Sequence, residues 1–248
     1  LGVTAILQLL AVLLAGSVAL LADTIHNFSD ALTAVPLWIA FTLSKRPPTR
    51  RFTYGYGRAE DVAGVIIVVM IFASSIVAAV ESILKIIHRQ HVTNLGIVAI
   101  AAIIGFLGNE GVAIFRIRVG REIGSAALIA DGMHARTDGL TSLAVLIGVI
   151  GIVLGFPLAD PILGLVITVA ILVIVKDTAQ TMWYRLMDAV DPAFVDQVEQ
   201  AARAVPGVED VSDVRVRWIG HRLAAELHAI VDPDLTTRAS HAIIEDVR

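Results

Sequence analysis

Long runs of apolar residues, separated by short polar segments, occupy the first three quarters of the chain. Six runs can be counted, at about 1–21, 22–43, 61–87, 95–115, 123–154 and 158–184. Each is close to or above the roughly 20 residues that an α-helix needs to cross a bilayer. The pattern therefore predicts an all-α transmembrane domain of six helices over residues 1–188.

The pattern changes after Asp188, where Asp191-Pro192 interrupts the last apolar run. Helical periodicity covers 193–205, alternation predicts strands at Val211–Trp218 and Leu223–Val231, and a second helix begins at Thr237. We predict a small α+β domain over residues 191–248, with the order α-β-β-α. A further strand would complete its sheet, and we expect that strand to be absent from this chain.

Composition supports a membrane protein. The chain has 248 residues, of which 56% are hydrophobic and 17% charged, and its mean hydropathy is +0.79. The absence of cysteine excludes disulfides and thiolate metal ligands. A net charge of −4 gives no indication of a nucleic-acid partner. The chain begins at Leu1, inside an apolar run, and we expect its first helix to be incomplete.

Basic residues indicate how the helices are oriented. Five follow the second apolar run and three follow the fourth: Lys45, Arg46, Arg50, Arg51 and Arg58, then Arg116, Arg118 and Arg121. Loops rich in Lys and Arg face the cytoplasm. We therefore expect a multi-pass protein of the cell (inner) membrane with both termini in the cytoplasm.

A twelve-residue pattern occurs twice, at 22–33 and at 130–141, and both copies read A-D-x-x-H-x-x-x-D-x-L-T. The copies fall in the second and fifth apolar runs, so two halves of three helices each would have opposite orientations. Inverted repeats with a binding site near the membrane midplane are common in secondary transporters. Chance similarity between two helices rich in alanine and leucine is the alternative.

The polar residues of this repeat suit a metal ion. His26 and Asp30, like His134 and Asp138, are four residues apart, which places each pair on one face of a helix. Two imidazoles and two carboxylates from facing helices would form a tetrahedral site, for which zinc is the usual metal. A hydrogen-bonded pair between helices, without metal, is the structural alternative. Ionisable residues inside a membrane are functional candidates by default.

Other charged residues accompany these candidate ligands. Asp23 and Asp131 each precede the second aspartate of their copy by seven residues, and each is either a structural residue or part of an ion or proton path. Arg136 points away from His134, and Glu110 is a candidate partner for it. The chain contains neither an H-E-x-x-H metalloprotease motif nor a P-loop, so we expect no enzyme activity.

Two further motifs give the sequence a close resemblance to the cation diffusion facilitator family of metal–proton antiporters. GSVALLAD, residues 16–23, resembles the segment that precedes the family's second helix. Tyr54-Gly55-Tyr56-Gly57-Arg58-Ala59-Glu60 resembles the turn before its third helix. With the repeated H-x-x-x-D pairs, the resemblance covers nearly the whole chain.

The resemblance implies a homodimer whose protomers each hold one transport site, made of His26, Asp30, His134 and Asp138. It also implies a metallochaperone-like cytoplasmic domain, with His228, His241 and Asp213 at positions that bind metal in some members. Arg58 and Asp188 match the basic residue before the third helix and the acid after the sixth that form a charge interlock in the family, so we expect these two residues to pair. Phe52 and Tyr56 stand where some members have histidines of a second site, so we expect that site to be absent.

Together these observations predict proton-coupled export of Zn²⁺ by alternating access, with metal ions and protons as substrates and no cofactor. Members with two histidines in the transport site are mostly zinc transporters, whereas manganese members tend to have carboxylates there. Cd²⁺, Co²⁺, Fe²⁺ or Ni²⁺ as the main ion is the first alternative, because affinity alone does not select among these metals. A membrane zinc sensor or zinc enzyme is the second.

Overall fold

The computed structural model describes residues 34–88, 95–156 and 158–248. The chain divides into two compact units, Leu1–Met182 and Trp183–Arg248. The first predicted apolar run and most of the second lie outside the described residues. The count of six membrane-crossing helices therefore stays a prediction.

Five helices of the apolar region fall within the described residues: α1, Ala34–Ser44; α2, Ala59–His88; α3, Leu95–Ile123; α4, Ala126–Val153; and α5, Ala159–Leu186. Helices α2 to α5 contain 28 to 30 residues each and are long and apolar enough to cross a membrane. Four of the predicted membrane helices are thus present where the apolar runs placed them.

One boundary prediction was wrong. We expected the fourth apolar run to end near residue 115 and its three arginines to lie in a loop, but α3 continues to Ile123 and includes all of them. Arginine is a good helix former, so nothing in this segment stops the helix before Gly124. Gly124 has φ of 72°, and the N–H of Ser125 donates to the carbonyl oxygen of Gly120. This is the left-handed glycine termination of a helix.

The connection between α3 and α4 is very short. Ser125 follows Gly124 directly and is the N-cap of α4, where its side chain accepts a hydrogen bond from the N–H of Leu128. Gly155, with φ of 90°, ends α4 in the same left-handed way. The two-residue turn at Gly124 and Ser125 makes α3 and α4 antiparallel neighbours.

Glycines let the antiparallel helices approach closely. A Cβ atom on Gly132 of α4 would lie 3.0 Å from the backbone nitrogen of Ile117 in α3. Without aqueous solvent to drive association, membrane helices rely on such small residues for packing. Buried side chains from three helices then fill the centre around α4: Ile67 and Ile71 of α2, Ala130 of α4, and Ile171 and Val175 of α5.

The second unit contains α6, Pro192–Arg203; β1, Asp210–Ile219; β2, Arg222–Ile230; and α7, Thr237–Val247. Asp191 caps α6, and Pro192 occupies its first turn, so the dipeptide that ends the apolar region also starts this helix. The two strands pair antiparallel, with a bulge between Ser212 and Arg215. The predicted order α-β-β-α is confirmed.

We predict that Gly148→Ala destabilises the packing of α4 against α5. A Cβ atom on Gly148 would lie 2.7 Å from the Cα and 2.9 Å from the Cβ of Asp160, so the backbone of α5 must shift. Overpacking of this kind costs about 1–3 kcal/mol. Thermal unfolding of the purified protein in detergent should show a lower Tm.

Gly111→Ala, in α3, is the matched control, because no atom lies within 4 Å of the Cβ it would add. Alanine is the better helix former, so this variant should unfold at the wild-type temperature or above it. Equal loss of stability in both variants would contradict the packing argument.

Candidate metal site

The second copy of the repeat lies in α4 and places His134 beside Asp138. The two residues are one helical turn apart, and Nε2 of His134 lies 3.9 Å from Oδ2 of Asp138. That distance exceeds a hydrogen bond. It is near the roughly 3.3 Å that separates two ligands of a tetrahedral zinc ion with bonds of about 2.0 Å. Small side-chain rotations would let both groups bind one ion.

This pair is covered by protein. The side chain of His134 is 4% exposed and that of Asp138 is 14% exposed. Ala130, one turn before His134, lies in the apolar cluster formed with α2 and α5. The pair is therefore at the interior face of α4, not on the face that lipid would contact. A charged or metal-binding group in a membrane helix is expected on such an interior face.

A buried ion pair lies one turn from His134. Arg116 of α3 donates across to Asp131 of α4, with 3.0 Å between Nη1 and Oδ2, and the Asp131 side chain is only 2% exposed. Sequence reasoning left Asp131 as either a structural residue or part of an ion path. The contact gives Asp131 a structural partner, and its role in a path stays a prediction.

A second ion pair joins the same two helices. Arg136 of α4 donates to both carboxylate oxygens of Glu110 in α3, at 3.2 and 2.7 Å. The predicted pairing of these two residues is confirmed. In this pair the arginine is on α4, whereas the arginine of the first pair is on α3. The two pairs bracket His134 and fix the register of α3 against α4.

Arg116 was not among the predicted site residues, because the hydropathy pattern predicted a loop at this position. The antiparallel register could have found it. Five residues separate Asp131 from Arg136 on α4, and six residues in the opposite direction separate Arg116 from Glu110 on α3. In an antiparallel hairpin, the numbers of facing residues rise along one helix as they fall by about the same amount along the other. The Glu110–Arg136 pairing, together with the Gly124 turn, would have predicted the other pair.

The other half of the predicted site lies outside the described residues. This applies to His26 and Asp30, and also to Asp23. Within the described ranges, no group of three or more histidine, aspartate or glutamate side chains is placed to hold a metal ion. The structure thus brings together two of the four predicted ligands, and the four-ligand site stays a prediction.

Two of the three predicted cytoplasmic ligands lie near each other on the two-stranded sheet. Nδ1 of His228 is 3.9 Å from Oδ2 of Asp213, which is at the bulge in β1 with φ of 56°. His241 lies on α7, where its Nε2 is 3.7 Å from Oε1 of Glu245. All three side chains are more than half exposed. A metal site that includes them stays a prediction.

Phe52 and Tyr56, which stand where some members of the family have histidines, lie in the turn before α2. The rings of Phe52 and Tyr56 pack with centroids 4.7 Å apart.

Arg58 lies in the first unit and Asp188 in the second. Their pairing stays a prediction, and exchanging the two charges in one double variant would test it.

A hydrogen bond joins the start of α2 to the turn between α3 and α4. The hydroxyl of Ser125 donates to Oε2 of Glu60, at 3.3 Å, and Glu60 is 1% exposed. In the sequence, Glu60 stands out only as the last residue of the motif that precedes α2. The contact places the first turn of α2 and the last turn of α3 at the same face of the first unit.

Comparison with known proteins matches both parts of the chain to one family. Residues 1–187 match the family model described as the cation efflux transmembrane domain, and residues 190–248 match the cytoplasmic domain of cation efflux proteins. A probable cation efflux system protein of Mycobacterium tuberculosis is 59% identical over 246 residues, covering 99% of this chain and 74% of that protein.

More distant relatives cover similar lengths. The magnetosome protein MamM of Magnetospirillum gryphiswaldense is 30% identical over 241 residues, covering 95% of this chain and 75% of that protein. Metal tolerance protein C1 of Arabidopsis thaliana is 28% identical over 251 residues, covering 95% of this chain and 53% of that protein.

We predict that Arg116 and Asp131 are strongly coupled in stability. Arg116→Gln or Asp131→Asn alone leaves one charge buried without its partner, which costs about 3–5 kcal/mol in buried pairs. The double variant should recover about 1–3 kcal/mol of the summed loss. Unfolding of the four proteins of this double-mutant cycle in detergent measures the coupling.

Arg118 and Glu122 form the control cycle, because their atoms are also 3.0 Å apart but their side chains are 78% and 59% exposed. Coupling there should be at most about 0.5 kcal/mol. Similar coupling in both cycles would mean that burial does not decide the strength of the Arg116–Asp131 pair.

Proposed function

The chain belongs to the cation diffusion facilitator family, and we propose that it exports Zn²⁺ across the cell membrane in exchange for protons. Membership of this family supports the efflux of divalent metal cations and is consistent with a transporter that is not an enzyme. The observation that carries the proposal is the buried His134–Asp138 pair on a membrane-length helix.

The proposed transport site combines this pair with His26 and Asp30 from the first copy of the repeat. The shared pattern of the two copies supports the assignment. Two neutral imidazoles and two carboxylates give four nitrogen and oxygen ligands of the kind that zinc takes in tetrahedral sites. The net charge of the ligands is then −2, which matches the charge of the ion.

Zinc is the proposed cargo because imidazole is a poorer ligand for hard, oxygen-preferring Mn²⁺ than for Zn²⁺. The names of the relatives support metal cargo in general, as in the metal tolerance protein of Arabidopsis thaliana. They do not distinguish zinc from Cd²⁺, Co²⁺, Fe²⁺ or Ni²⁺, so the flux experiment below includes these ions.

Proton coupling follows from the chemistry of the proposed ligands. Zn²⁺ binds neutral imidazole and ionised carboxylate, so a proton on any of these groups competes with the metal. If the site opens to one side of the membrane at a time, zinc enters from the cytoplasm and is replaced by protons from the other side. Competition for the same groups thereby becomes exchange, without ATP or another cofactor.

The α3–α4 hairpin has a mechanical role in this proposal. Two ion pairs and close glycine packing hold α4 in register with α3, on both sides of His134. A movement that changes access to the site would therefore carry α3 and α4 together. The helix that bears His26 and Asp30 would move relative to this pair.

The proposal also includes the organisation that the family implies. We propose a homodimer in the inner membrane, with both chain termini and the second unit in the cytoplasm. The match of residues 190–248 to the family's cytoplasmic domain supports that placement of the second unit. His228, Asp213 and His241 are proposed as a partial metal site of that domain, and zinc binding to the purified protein with and without His228→Ala would test it.

Asp138→Asn should abolish zinc transport. The substitution keeps the size of the side chain but removes a negative ligand, and we expect zinc flux into proteoliposomes to fall by more than about 10-fold. A zinc-sensitive dye inside the vesicles gives the rate. Wild-type flux in this variant would place the transport site elsewhere in the protein.

The matched control is Asp177→Asn on α5, an exposed aspartate in another membrane-length helix. This variant undergoes the same chemical change outside the proposed site, so its zinc flux should equal that of the wild type. Loss of flux in both variants would indicate a general effect of removing charge from the membrane helices.

Zinc uptake should raise the pH of the vesicle lumen. Each zinc ion that enters through protein with its cytoplasmic face outward displaces protons outward, so a trapped pH dye should report alkalinisation that starts with zinc addition. Asp138→Asn should show neither signal. Zinc uptake at constant luminal pH would contradict proton exchange, and stronger signals with Cd²⁺, Co²⁺, Fe²⁺ or Ni²⁺ than with Zn²⁺ would contradict zinc as the main cargo.

A further inference from the structure

The loop between α1 and α2 carries a concentration of exposed positive charge. Lys45, Arg46, Arg50 and Arg51 are all exposed and lie within seven consecutive residues. No salt bridge to a carboxylate of the described residues neutralises these four side chains. Charge alone is enough for a loop to set membrane topology, and this loop has a defined backbone structure in addition to its charge.

Two hydrogen bonds give the loop a fixed shape. The N–H of Thr49 donates to the carbonyl oxygen of Phe52 at 3.0 Å, and the N–H of Phe52 donates to the hydroxyl oxygen of Thr49 at 3.1 Å. Thr49 and Phe52 therefore close a turn around Arg50 and Arg51. Two adjacent guanidinium groups are presented to the outside on a short, closed piece of backbone.

Neighbouring residues support this turn. Pro47 and Pro48 restrict the backbone that leads into it. On the other side, the ring of Phe52 packs on Tyr56, and the guanidinium carbon of Arg51 lies 5.9 Å from the centre of the Phe52 ring. Phe52 is 45% exposed and Tyr54 is 64% exposed. Tyrosine, with an apolar ring and a polar hydroxyl, is typical of the membrane interface, and the exposed ring of Phe52 adds apolar surface near it.

The loop lies at the membrane face where α2 begins. Ser44 ends an apolar helix and Ala59 starts a membrane-length one, so we expect the residues between them to lie at the level of the lipid headgroups. The Glu60–Ser125 hydrogen bond places the end of α3, with exposed Arg121, at the same face. Lipid phosphate is thus the anion that this loop meets first.

We propose that Arg50 and Arg51, on the turn closed by Thr49 and Phe52, bind the phosphate of an anionic lipid headgroup. Guanidinium groups form paired hydrogen bonds with phosphate oxygens, and a pre-formed turn reduces the entropy lost on binding. Exposed Phe52 and Tyr54 contact the glycerol and upper acyl region beside that headgroup. The loop thereby acts as a lipid-binding surface of the transporter.

Lipid titration of the purified full chain in detergent, followed by native mass spectrometry, tests this proposal. The wild type should bind its first phosphatidylglycerol more tightly than phosphatidylcholine. Arg50→Gln/Arg51→Gln should weaken phosphatidylglycerol binding by about 5-fold per charge, or about 25-fold, and leave phosphatidylcholine unchanged. Lys45→Gln/Arg46→Gln, in the same loop but outside the closed turn, should weaken it less.

Arg222→Gln/Arg238→Gln is the matched control, because it removes two exposed arginines from the second unit. This variant should bind phosphatidylglycerol as the wild type does. The proposal is overturned if Arg50→Gln/Arg51→Gln leaves phosphatidylglycerol binding unchanged, or if either Lys45→Gln/Arg46→Gln or the control loses as much affinity as Arg50→Gln/Arg51→Gln. Displacement of the lipid by inorganic phosphate would also overturn it, in favour of a soluble phosphate ligand.

Discussion

A charged side chain inside a membrane must have a partner, and this constraint shapes the unit around α4. One helix carries Asp131, His134, Arg136 and Asp138 within eight residues. Insertion scales assign roughly 2.5–3.5 kcal/mol to each charged residue at the centre of a membrane helix. Asp131 and Arg136 receive their counter-charges from α3, and His134 and Asp138 lie one helical turn apart on the same buried face of α4.

The two ion pairs are reciprocal, and together they specify a single register of α4 against α3. With an acid on α4 in one pair and a base on α4 in the other, a shift of α4 along α3 would bring charges out of register and bury them without partners. A fixed register also preserves the glycine contact between Gly132 and Ile117. Packing and electrostatics thus select the same arrangement, and His134 is held at a defined height in the bundle.

Much of this arrangement could be predicted from the sequence. Apolar length predicted the four membrane-length helices α2 to α5, and the spacing of His134 and Asp138 placed both on one face of α4, because these features depend on local periodicity. The end of α3 could not be predicted from hydropathy, since the arginines before Gly124 lower hydropathy without breaking a helix. The identity of the residue that pairs with Asp131 could not be predicted either, because it depends on the register between two helices, which the hydropathy of one apolar run does not determine. The bulge at Asp213 likewise depends on pairing between two strands.

The two-residue turn at Gly124 and Ser125 has a consequence for the synthesis of the protein. Translated alone, α4 would present four polar or charged residues to the lipid and would be a poor candidate for insertion. Helix α3 precedes α4, and the turn between them has only two residues. Both helices can therefore leave the insertion machinery as one hairpin, with Arg116 and Glu110 already opposite their partners. The ion pairs with α3, which is synthesised just before α4, then offset the free-energy cost of placing the charges of α4 in the membrane. The order of the helices in the chain thereby becomes a condition for assembly in the membrane.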